Sequence, residues 1–354
     1  MNDIEQRCIN LMKEAWRRQA SDIHFHPKEA YISVQFRIDG RLVPYAKLKR
    51  AIYERMLSYF KFQAKMDIGE KRRPQNGAMT LSIDGQKLSV RLSTIPTPYQ
   101  ESLALRLLPL NQHVSLDKLF LFRESANRLS ALINSPAGFA ILTGPTGSGK
   151  TTTIYACLLE AVHKHRRRVI TIEDPIEKTN DAFTQLEVNE KAGITFEEGF
   201  KASLRHDPDI IMIGEIRDQM TAQIAVRAAL TGHFIVTSMH AKNPLGALYR
   251  LLEFGIPLTD IQQTVVAVAS QRLVPVLCPV CGPERGESGS DHFKTNRKAI
   301  IELLADDTLE QTLEHIGSKT SPMPDYPTLK DELEKGIQLG YVHSEYEQEE
   351  IGFV

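Results

Sequence analysis

Two styles of hydrophobic patterning divide this chain. In the N-terminal third, helical spacing of apolar residues is interrupted by short period-two runs, whereas from about residue 136 short apolar runs alternate with longer helical stretches. The spacing predicts one helix over 3–19 and another over roughly 49–65. The apolar face of the first helix is formed by Ile4, Cys8, Leu11, Met12 and Ala15.

Strand-like segments lie between and after these helices. YISVQFRIDG (31–40) runs through an Asp-Gly turn signal into RLVPY, and MTLSIDGQKLSVRLST predicts a hairpin around Asp84 and Gly85. The second arm of this hairpin alternates apolar and polar residues, so that Arg91 points away from the apolar face. The segment 1–108 is therefore predicted to be a small α+β domain.

The next part of the chain predicts a different architecture. After a weakly patterned linker over 109–126, the apolar runs FAILT, RVITI, DIIMI and HFIVTS alternate with helical stretches. This alternation predicts a parallel sheet covered by helices, an α/β domain over 127–285. Beyond it, helix-like segments over 294–316 and 328–340 predict a helical C-terminal region, 286–354.

Charge and cysteine content limit the possible partners and compartment. The 354 residues carry a net charge of −1, but 286–354 holds 15 acidic and 6 basic residues, which leaves +8 on the preceding 285 residues. The catalytic part is thus able to meet an anionic partner, whereas the overall balance favours neither nucleic acid nor a membrane surface. Four cysteines argue against a disulfide framework and fit a reducing cytoplasm. No apolar run is long enough to span a membrane.

The strongest chemical signal is GPTGSGKT, residues 144–151, a complete G-x-x-x-x-G-K-[ST] phosphate loop between a predicted strand and a predicted helix. Glycines allow backbone N–H groups to converge on phosphate oxygens, and the helix N-terminus adds a favourable dipole. Lys150 is expected to neutralise the β- and γ-phosphates, and the Thr151 hydroxyl to bind Mg²⁺. The expected nucleotide-binding residues are Gly144, Pro145, Thr146, Gly147, Ser148, Gly149, Lys150, Thr151 and Thr152.

A second strand of a nucleotide-binding sheet is indicated by DIIMIGEIRD, residues 209–218. Its carboxylate comes one position later than expected, as Glu215 after Gly214, which suits a group that orients and polarises the attacking water. The magnesium-directed carboxylate is then expected in RVITIEDPIE, where Glu173 and Asp174 end a strand. Alternatively, Mg²⁺ is held by Thr151, phosphates and water alone.

Two histidines flank the strand in TGHFIVTSMH. His233 and His240 are seven residues apart, and no third ligand lies at a spacing useful for a metal. We therefore expect His240 to contact the γ-phosphate by hydrogen bonding, with His233 supporting it in nucleotide binding. A structural role for each histidine is the alternative.

In this order, the phosphate loop, IEDPIE, IMIGEIRD and TGHFIVTSMH closely resemble the type II secretion and type IV pilus motor ATPases. SDIHFHP, RRPQNG, VRLST and LALRLL resemble N-terminal segments of the same family, so the resemblance covers roughly residues 1–282. It implies a RecA-like ATPase domain preceded by a smaller, PAS-like domain. It also implies ATP with Mg²⁺, a homo-hexameric ring, and an integral membrane platform protein as partner, without direct binding of nucleic acid.

The resemblance also assigns roles to arginines. Arg91 and Arg106 are implied to supply positive charge to the nucleotide from the N-terminal domain, and are counted with Lys150, Glu173, Glu215 and His240 as catalytic. Arg205 and Arg217 are implied to form interdomain ion pairs.

The cysteine pattern suggests a branch within the family. Cys278 and Cys281 form a C-x-x-C, as in assembly and type II secretion motors. No second C-x-x-C follows and His292 is a weak third candidate, so a stoichiometric zinc site is not expected. A short motor with this reduced cysteine region most resembles the competence pseudopilus ATPase of Gram-positive bacteria, which implies a cytoplasmic location at the inner face of the membrane. The alternatives are a secretion or pilus-retraction motor, a RecA-like nucleic-acid translocase, and a non-hydrolysing scaffold.

Overall fold

The computed structural model describes residues 3–38, 40–83, 86–109, 115–189, 192–277, 297–318 and 322–343. Contacts divide the chain into two compact units, Met1–Gln112 and His113–Val354. No helix among the described residues combines the length and apolar character needed to cross a membrane.

The first unit is an antiparallel sheet with helices on one face. Its helices and strands, in chain order, are α1 Asp3–Arg17, β1 Asp22–Pro27, β2 Ile32–Ile38, β3 Arg41–Leu48, α2 Arg50–Gln63, β4 Gln75–Ile83, β5 Gln86–Ile95 and β6 Ser102–Pro109. Over the described residues the strands are ordered β3-β2-β1-β6-β5-β4, and each pairs antiparallel with its neighbours. The core joins the apolar faces of α1 and α2 to alternate strand residues such as Ile23, Phe25 and Val90.

The predicted elements of this unit are present. The helices predicted over 3–19 and 49–65 are α1 and α2, and the predicted hairpin is the β4–β5 pair, although its turn at 84–85 lies outside the described residues. The strand β1 was not predicted from periodicity, since His24 and His26 disguise the inward alternation of Ile23 and Phe25.

The second unit is built around a larger, mostly parallel sheet. Its strands are β7 Gly138–Thr143, β8 Val169–Glu173, β9 Thr184–Glu187, β10 Ile210–Glu215, β11 Phe234–Met239, β12 Val265–Pro275 and β13 Arg297–Ala305. Its helices are α3 Leu116–Leu119, α4 Arg123–Ile133, α5 Lys150–His165, α6 Phe196–Leu204, α7 Gln219–Leu230, α8 Pro244–Glu253, α9 Leu258–Thr264, α10 Asp306–Ser318 and α11 Leu329–Gln338.

Among the described residues the strand order is β13-β12-β7-β11-β10-β8-β9, parallel throughout except for antiparallel β13. Alternate residues of each strand face two different cores. One core is shared with α6 to α10 and the other with α3, α4 and α5. The four strands predicted from apolar runs are β7, β8, β10 and β11. Their residues are continuously apolar because helices cover both faces of the sheet.

Two expectations about segment boundaries are wrong. Residues 116–126 do not form a linker, because α3 and the start of α4 fold there, and Leu116 and Phe120 enter the second unit's core. The helix predicted over 294–316 is wrong in its first half, because Arg297–Ala305 is a strand. Its burial on both faces leaves an apolar run that periodicity alone does not distinguish from a helix.

The C-terminal segment is consequently part of the second unit. Strand β13 pairs with β12 over nine residue pairs, from Ala267 with Ala305 to Pro275 with Arg297. The helix α11 packs over the same edge of the sheet, in a small core with Val274 and Ile300. A separate acidic tail is therefore the wrong description of residues 297–343.

Candidate nucleotide site

The phosphate loop connects the carboxyl end of β7 to the first turn of α5, as expected. Gly144, Gly147 and Gly149 have φ angles of +145°, +82° and +86°, a region that side chains other than glycine rarely adopt. A Cβ on Gly144 would lie 2.7 Å from the Gln271 carbonyl oxygen, whereas at Gly147 nothing lies within 4 Å. Around Gly147 the loop backbone is therefore not covered by other atoms, which allows a phosphate to approach it closely.

The first turn of α5 begins without a capping side chain. The N-cap is Gly149, which has no side chain to accept from the first N–H groups of the helix, so these groups remain for another acceptor. Lys150 Nζ donates to the carbonyl oxygens of Gly144 (2.7 Å) and Pro145 (3.0 Å). Burial lowers the pKa of Lys150, and the carboxylate of Glu215 acts in the opposite direction. Lys150 and Glu215 are thus electrostatically coupled.

The late position of Glu215 is explained by a bulge in β10. Ile213 pairs with Thr237, but it is Glu215 that pairs with Ser238, which leaves Gly214 as the extra residue. Ser238 Oγ donates to the Gly214 carbonyl at 2.7 Å and holds the bulge in place. A Cβ on Gly214 would lie 3.4 Å from Glu173 Cα, in van der Waals contact with β8. The bulge moves Glu215 to the register position that residue 214 would otherwise occupy.

Glu215 is held by residues on both sides of the strand end. Its Oε1 lies 3.0 Å from His240 Nε2, and its Oε2 lies 3.1 Å from Arg217 Nε. The carboxylate side chain is 22% exposed, which leaves it open to a water molecule. Arg217 thus has a local partner two residues away, and the interdomain role implied for it stays a prediction. Arg205 is exposed at the end of α6, and its role stays a prediction.

The two histidines lie at opposite ends of β11. His240 follows the strand, on the edge of the sheet that carries the phosphate loop, whereas His233 precedes it, and its carbonyl accepts from Gly138 N at the start of β7. Seven residues of extended chain separate them by roughly 23 Å. His233 Nδ1 lies 3.1 Å from Thr231 Oγ1. The expectation that His233 supports nucleotide binding beside His240 is therefore wrong.

Glu173 is enclosed rather than open to a metal. It is 3% exposed, and Tyr155 OH donates to it at 2.8 Å and Thr171 Oγ1 at 2.6 Å. Gln185 Nε2 adds a contact of 3.2 Å to the same carboxylate. Burial, followed by the nearby carboxylate, raises the pKa of Tyr155, so that its hydroxyl remains a donor. With its oxygens occupied in this way, Glu173 acts as a buried acceptor, and its assignments as magnesium ligand and catalytic residue are not supported.

The remaining predicted residues near the loop are compatible with magnesium nucleotide. Thr151 lies in the first turn of α5 and is partly exposed, while Thr152 and Asp174 are exposed. The Thr151 hydroxyl is the group that would hold Mg²⁺, which takes few protein ligands and otherwise uses phosphates and water. Bound there, the ion would neutralise phosphate charge. The uncapped helix start and the bare glycine backbone fit the phosphates that such an ion accompanies.

Three residues near the site were missed from sequence. Tyr155 and Gln185 hold Glu173, and Gln271 Nε2 donates to the Ser148 carbonyl at 2.7 Å. Gln185 lies on β9 and Gln271 on β12. Strand β9 is too short, and β12 too mixed in polarity, to be predicted from the apolar pattern. Recognising that SQRL continues the apolar run VVAVA would have indicated β12.

The N-terminal arginines form a row across the first unit's sheet. Arg91 pairs with Arg106 between β5 and β6, and Arg106 pairs with Asp22 between β6 and β1. Asp22 Oδ1 accepts from Arg106 Nε at 2.8 Å, and Arg37 Nε lies 3.8 Å from Asp22 Oδ2. Arg91 lies between the buried residues Val90 and Leu92, so its predicted outward orientation is confirmed. The contact of Arg91 and Arg106 with nucleotide stays a prediction.

The structure does not describe the C-x-x-C residues Cys278 and Cys281, nor His292, so the expectation about zinc stays a prediction. Cys8 and Cys157 are buried free thiols, and burial followed by a nearby carboxylate raises the pKa of each to about 12.

Comparisons with known sequences all find secretion or competence proteins. The family described as "Type II/IV secretion system protein" matches residues 2–336. Competence protein ComGA of Bacillus subtilis (strain 168) is 44% identical over 345 residues, which cover 97% of this chain and 96% of that protein. Type II secretion system protein E of Dickeya dadantii (strain 3937) is 44% identical over 277 residues, 78% of this chain but 55% of that protein.

Solved structures share the fold. The Legionella pneumophila ATPase DotB has a TM-score of 0.73 at 19% identity, covering 95% of this chain and 92% of that one. The pilus retraction motor PilT with bound ADP has a TM-score of 0.68 at 24% identity, covering 96% and 95%. At such identities the likeness concerns the fold alone, and it confirms the predicted RecA-like α/β fold.

Proposed function

We propose that this chain, which belongs to the type II/IV secretion system protein family, hydrolyses ATP as a hexameric motor that drives assembly of a competence pseudopilus. The observation that carries the proposal is the arrangement at one edge of the second unit's sheet. There the phosphate loop with Lys150 and the paired side chains of Glu215 and His240 follow strands β7, β10 and β11. Similarity over nearly the whole of a competence protein supports the choice of machine.

Each side chain has a distinct task in this proposal. Lys150 and the loop N–H groups bind the phosphates of ATP, and the Thr151 hydroxyl is the protein ligand for Mg²⁺. Glu215 accepts a proton from the attacking water, and a positioned base of this kind contributes a factor of about 10²–10⁴ in rate. His240 orients the Glu215 carboxylate through its 3.0 Å contact and is available to the γ-phosphate.

The machine around the motor is proposed from the relatives. Proteins named for competence and for type II secretion are the close sequence matches, so we propose an integral membrane platform protein as the partner of this chain. The proposed location is the cytoplasmic face of the cell membrane. The chain is not proposed to bind DNA directly.

The test is ATP hydrolysis by the purified protein and its Lys150→Ala variant. Removing the ammonium should weaken ATP binding and abolish turnover, because the phosphates lose their fixed counter-charge. Lys164→Ala is the matched control, since Lys164 lies on the same helix with a side chain 67% exposed. Hydrolysis by Lys150→Ala near the wild-type rate would contradict the nucleotide site.

Two further measurements separate the motor from other functions. Mass measurement in solution should give a hexamer in the presence of a non-hydrolysable ATP analogue. Turnover should be unchanged by single-stranded DNA, whereas strong stimulation by DNA would favour a translocase. Loss of DNA uptake by cells that express only the Lys150→Ala variant, with normal uptake for Lys164→Ala, would support the competence role.

A further inference from the structure

Gln271 lies on β12, the strand beside the phosphate-loop strand. The register pairs Ser270 with Thr143, the last residue of β7, so Gln271 comes directly beneath the loop. Its side chain is 1% exposed, and its Nε2 donates to the Ser148 carbonyl oxygen at 2.7 Å. A Cβ on Gly149 would approach this Nε2 to 3.0 Å, so the loop is pressed closely against the amide.

The floor of the loop is unusually polar for a buried place. Thr143 Oγ1, Ser148 Oγ and Gln271 Oε1 are buried and have no hydrogen-bond partner among the described residues. Buried polar atoms are nearly always paired, so each of these three requires an explanation such as strain, a catalytic role, a bound water or an ion.

The hydrogen bond from Gln271 determines the direction of a loop N–H group. In a trans peptide the carbonyl of one residue and the N–H of the next point in opposite directions. With the Ser148 carbonyl directed at Gln271, the Gly149 N–H must point to the opposite side of the loop. That side is where phosphate oxygens are proposed to bind, and at Gly147 in the same loop no atom lies within 4 Å of an added Cβ.

Gln271 is itself held in place by its neighbour. Arg272 Nη1 donates to the Gln271 carbonyl at 3.0 Å, and Arg272 Nη2 donates to the Lys242 carbonyl at 3.3 Å. Lys242 follows His240 in the loop after β11, so Arg272 links the strand beneath the phosphate loop to the loop that carries His240. This support restricts the position from which Gln271 reaches Ser148.

We propose that Gln271 is a positioning residue for nucleotide binding, which acts by orienting the Ser148–Gly149 peptide so that its N–H faces the phosphates. The role rests on the proposed ATP site and adds a residue to it. Gln271→Leu keeps the volume but removes the donor, so KM for ATP should rise about tenfold or more. The turnover number should change by less than about threefold, because the lost interaction is shared by ground and transition states.

Gln271→Glu supplies a readout that altered packing would not produce. A buried carboxyl group has a raised pKa, and its protonated form donates an O–H to the Ser148 carbonyl as the amide does. When it ionises, the donor is lost and the carboxylate repels that carbonyl. ATP affinity relative to wild type should therefore be near normal at low pH and fall as pH rises, while Gln271→Leu shows no such relative trend.

The experiment measures ATP dissociation constants and steady-state kinetics for the full chain between pH 6 and 8.5, with Gln263→Leu as control. Gln263 is exposed on α9, so its variant should match wild type. A wild-type KM for Gln271→Leu together with a pH-independent Gln271→Glu would overturn the role of Gln271 while leaving the ATP site intact. If Gln271→Leu fails to fold, the pH trend of Gln271→Glu decides. Absence of ATP binding by the wild-type protein would overturn both proposals.

Discussion

His240 Nε2 lies 3.0 Å from Glu215 Oε1, so a residue at the end of β11 holds the carboxylate at the end of the neighbouring strand β10. The contact depends on the bulge at Gly214, which brings Glu215 opposite Ser238. The proposed base and the group proposed to orient it thus come from two strands rather than from one motif.

Glu215→Gln should leave ATP binding near normal and slow hydrolysis by a factor of about 10²–10⁴, because the amide keeps the shape but cannot accept the proton from water. Lys150, Thr151 and the loop amides are untouched by the change. ATP affinity and turnover should be measured across a magnesium titration, with Glu253→Gln on the exposed end of α8 as control. A large loss of affinity that excess Mg²⁺ reverses would instead make Glu215 a metal ligand.

Tyr155→Phe tests the buried network around Glu173. The variant removes the Tyr155 donor but leaves Thr171 and Gln185, and the loss of one buried hydrogen bond lowers the unfolding free energy by about 0.5–1.5 kcal/mol. Chemical denaturation measures this loss, and Tyr249→Phe, at a residue that is 45% exposed, should be neutral. A Glu173→Gln variant with normal stability and magnesium-dependent loss of ATP affinity would restore Glu173 as a metal ligand.

A chain ending at residue 285 should not fold into a stable second unit. It lacks β13, which pairs with nine residues of β12 and contributes the buried side chains of Ile300, Ile301 and Leu304. Circular dichroism and thermal unfolding should show loss of a cooperative transition. A chain ending at residue 343 retains every described residue and should unfold like the full chain. Normal ATP hydrolysis by the shorter chain would contradict a structural role for β13.

Arg106→Ala should bind ATP but hydrolyse it more slowly, by up to a factor of about 10³ if the guanidinium stabilises developing phosphate charge. Arg17→Ala, on an exposed position of α1 in the same unit, is the control. If Arg106 serves the site of a neighbouring subunit, mixing Arg106→Ala with Lys150→Ala should restore part of the activity, because some interfaces then combine an intact loop with an intact arginine. Mixed rings without recovery would argue against action between subunits.

Those parts of the fold could be predicted whose sequence signal lies in consecutive residues. The phosphate loop is recognised from eight consecutive residues between a strand and a helix. Strands β7, β8, β10 and β11 are recognised from short apolar runs. Strands β9, β12 and β13 of the second unit were not recognised. Strand β9 has only four residues, β12 combines an apolar run with polar residues such as Gln271, and β13 is an apolar run that was predicted as a helix.

The sequence by itself determined the class of the second unit, the phosphate loop and the identity of Glu215 as the acidic residue after a strand, since each depends on residues adjacent in the chain. Only the tertiary structure decided which residues meet. Strand direction separates His233 from His240, the bulge at Gly214 sets the position of Glu215, and strand pairing brings Gln271 under a loop more than a hundred residues earlier. Register and burial arise from contacts between distant segments, and local spacing does not encode those contacts.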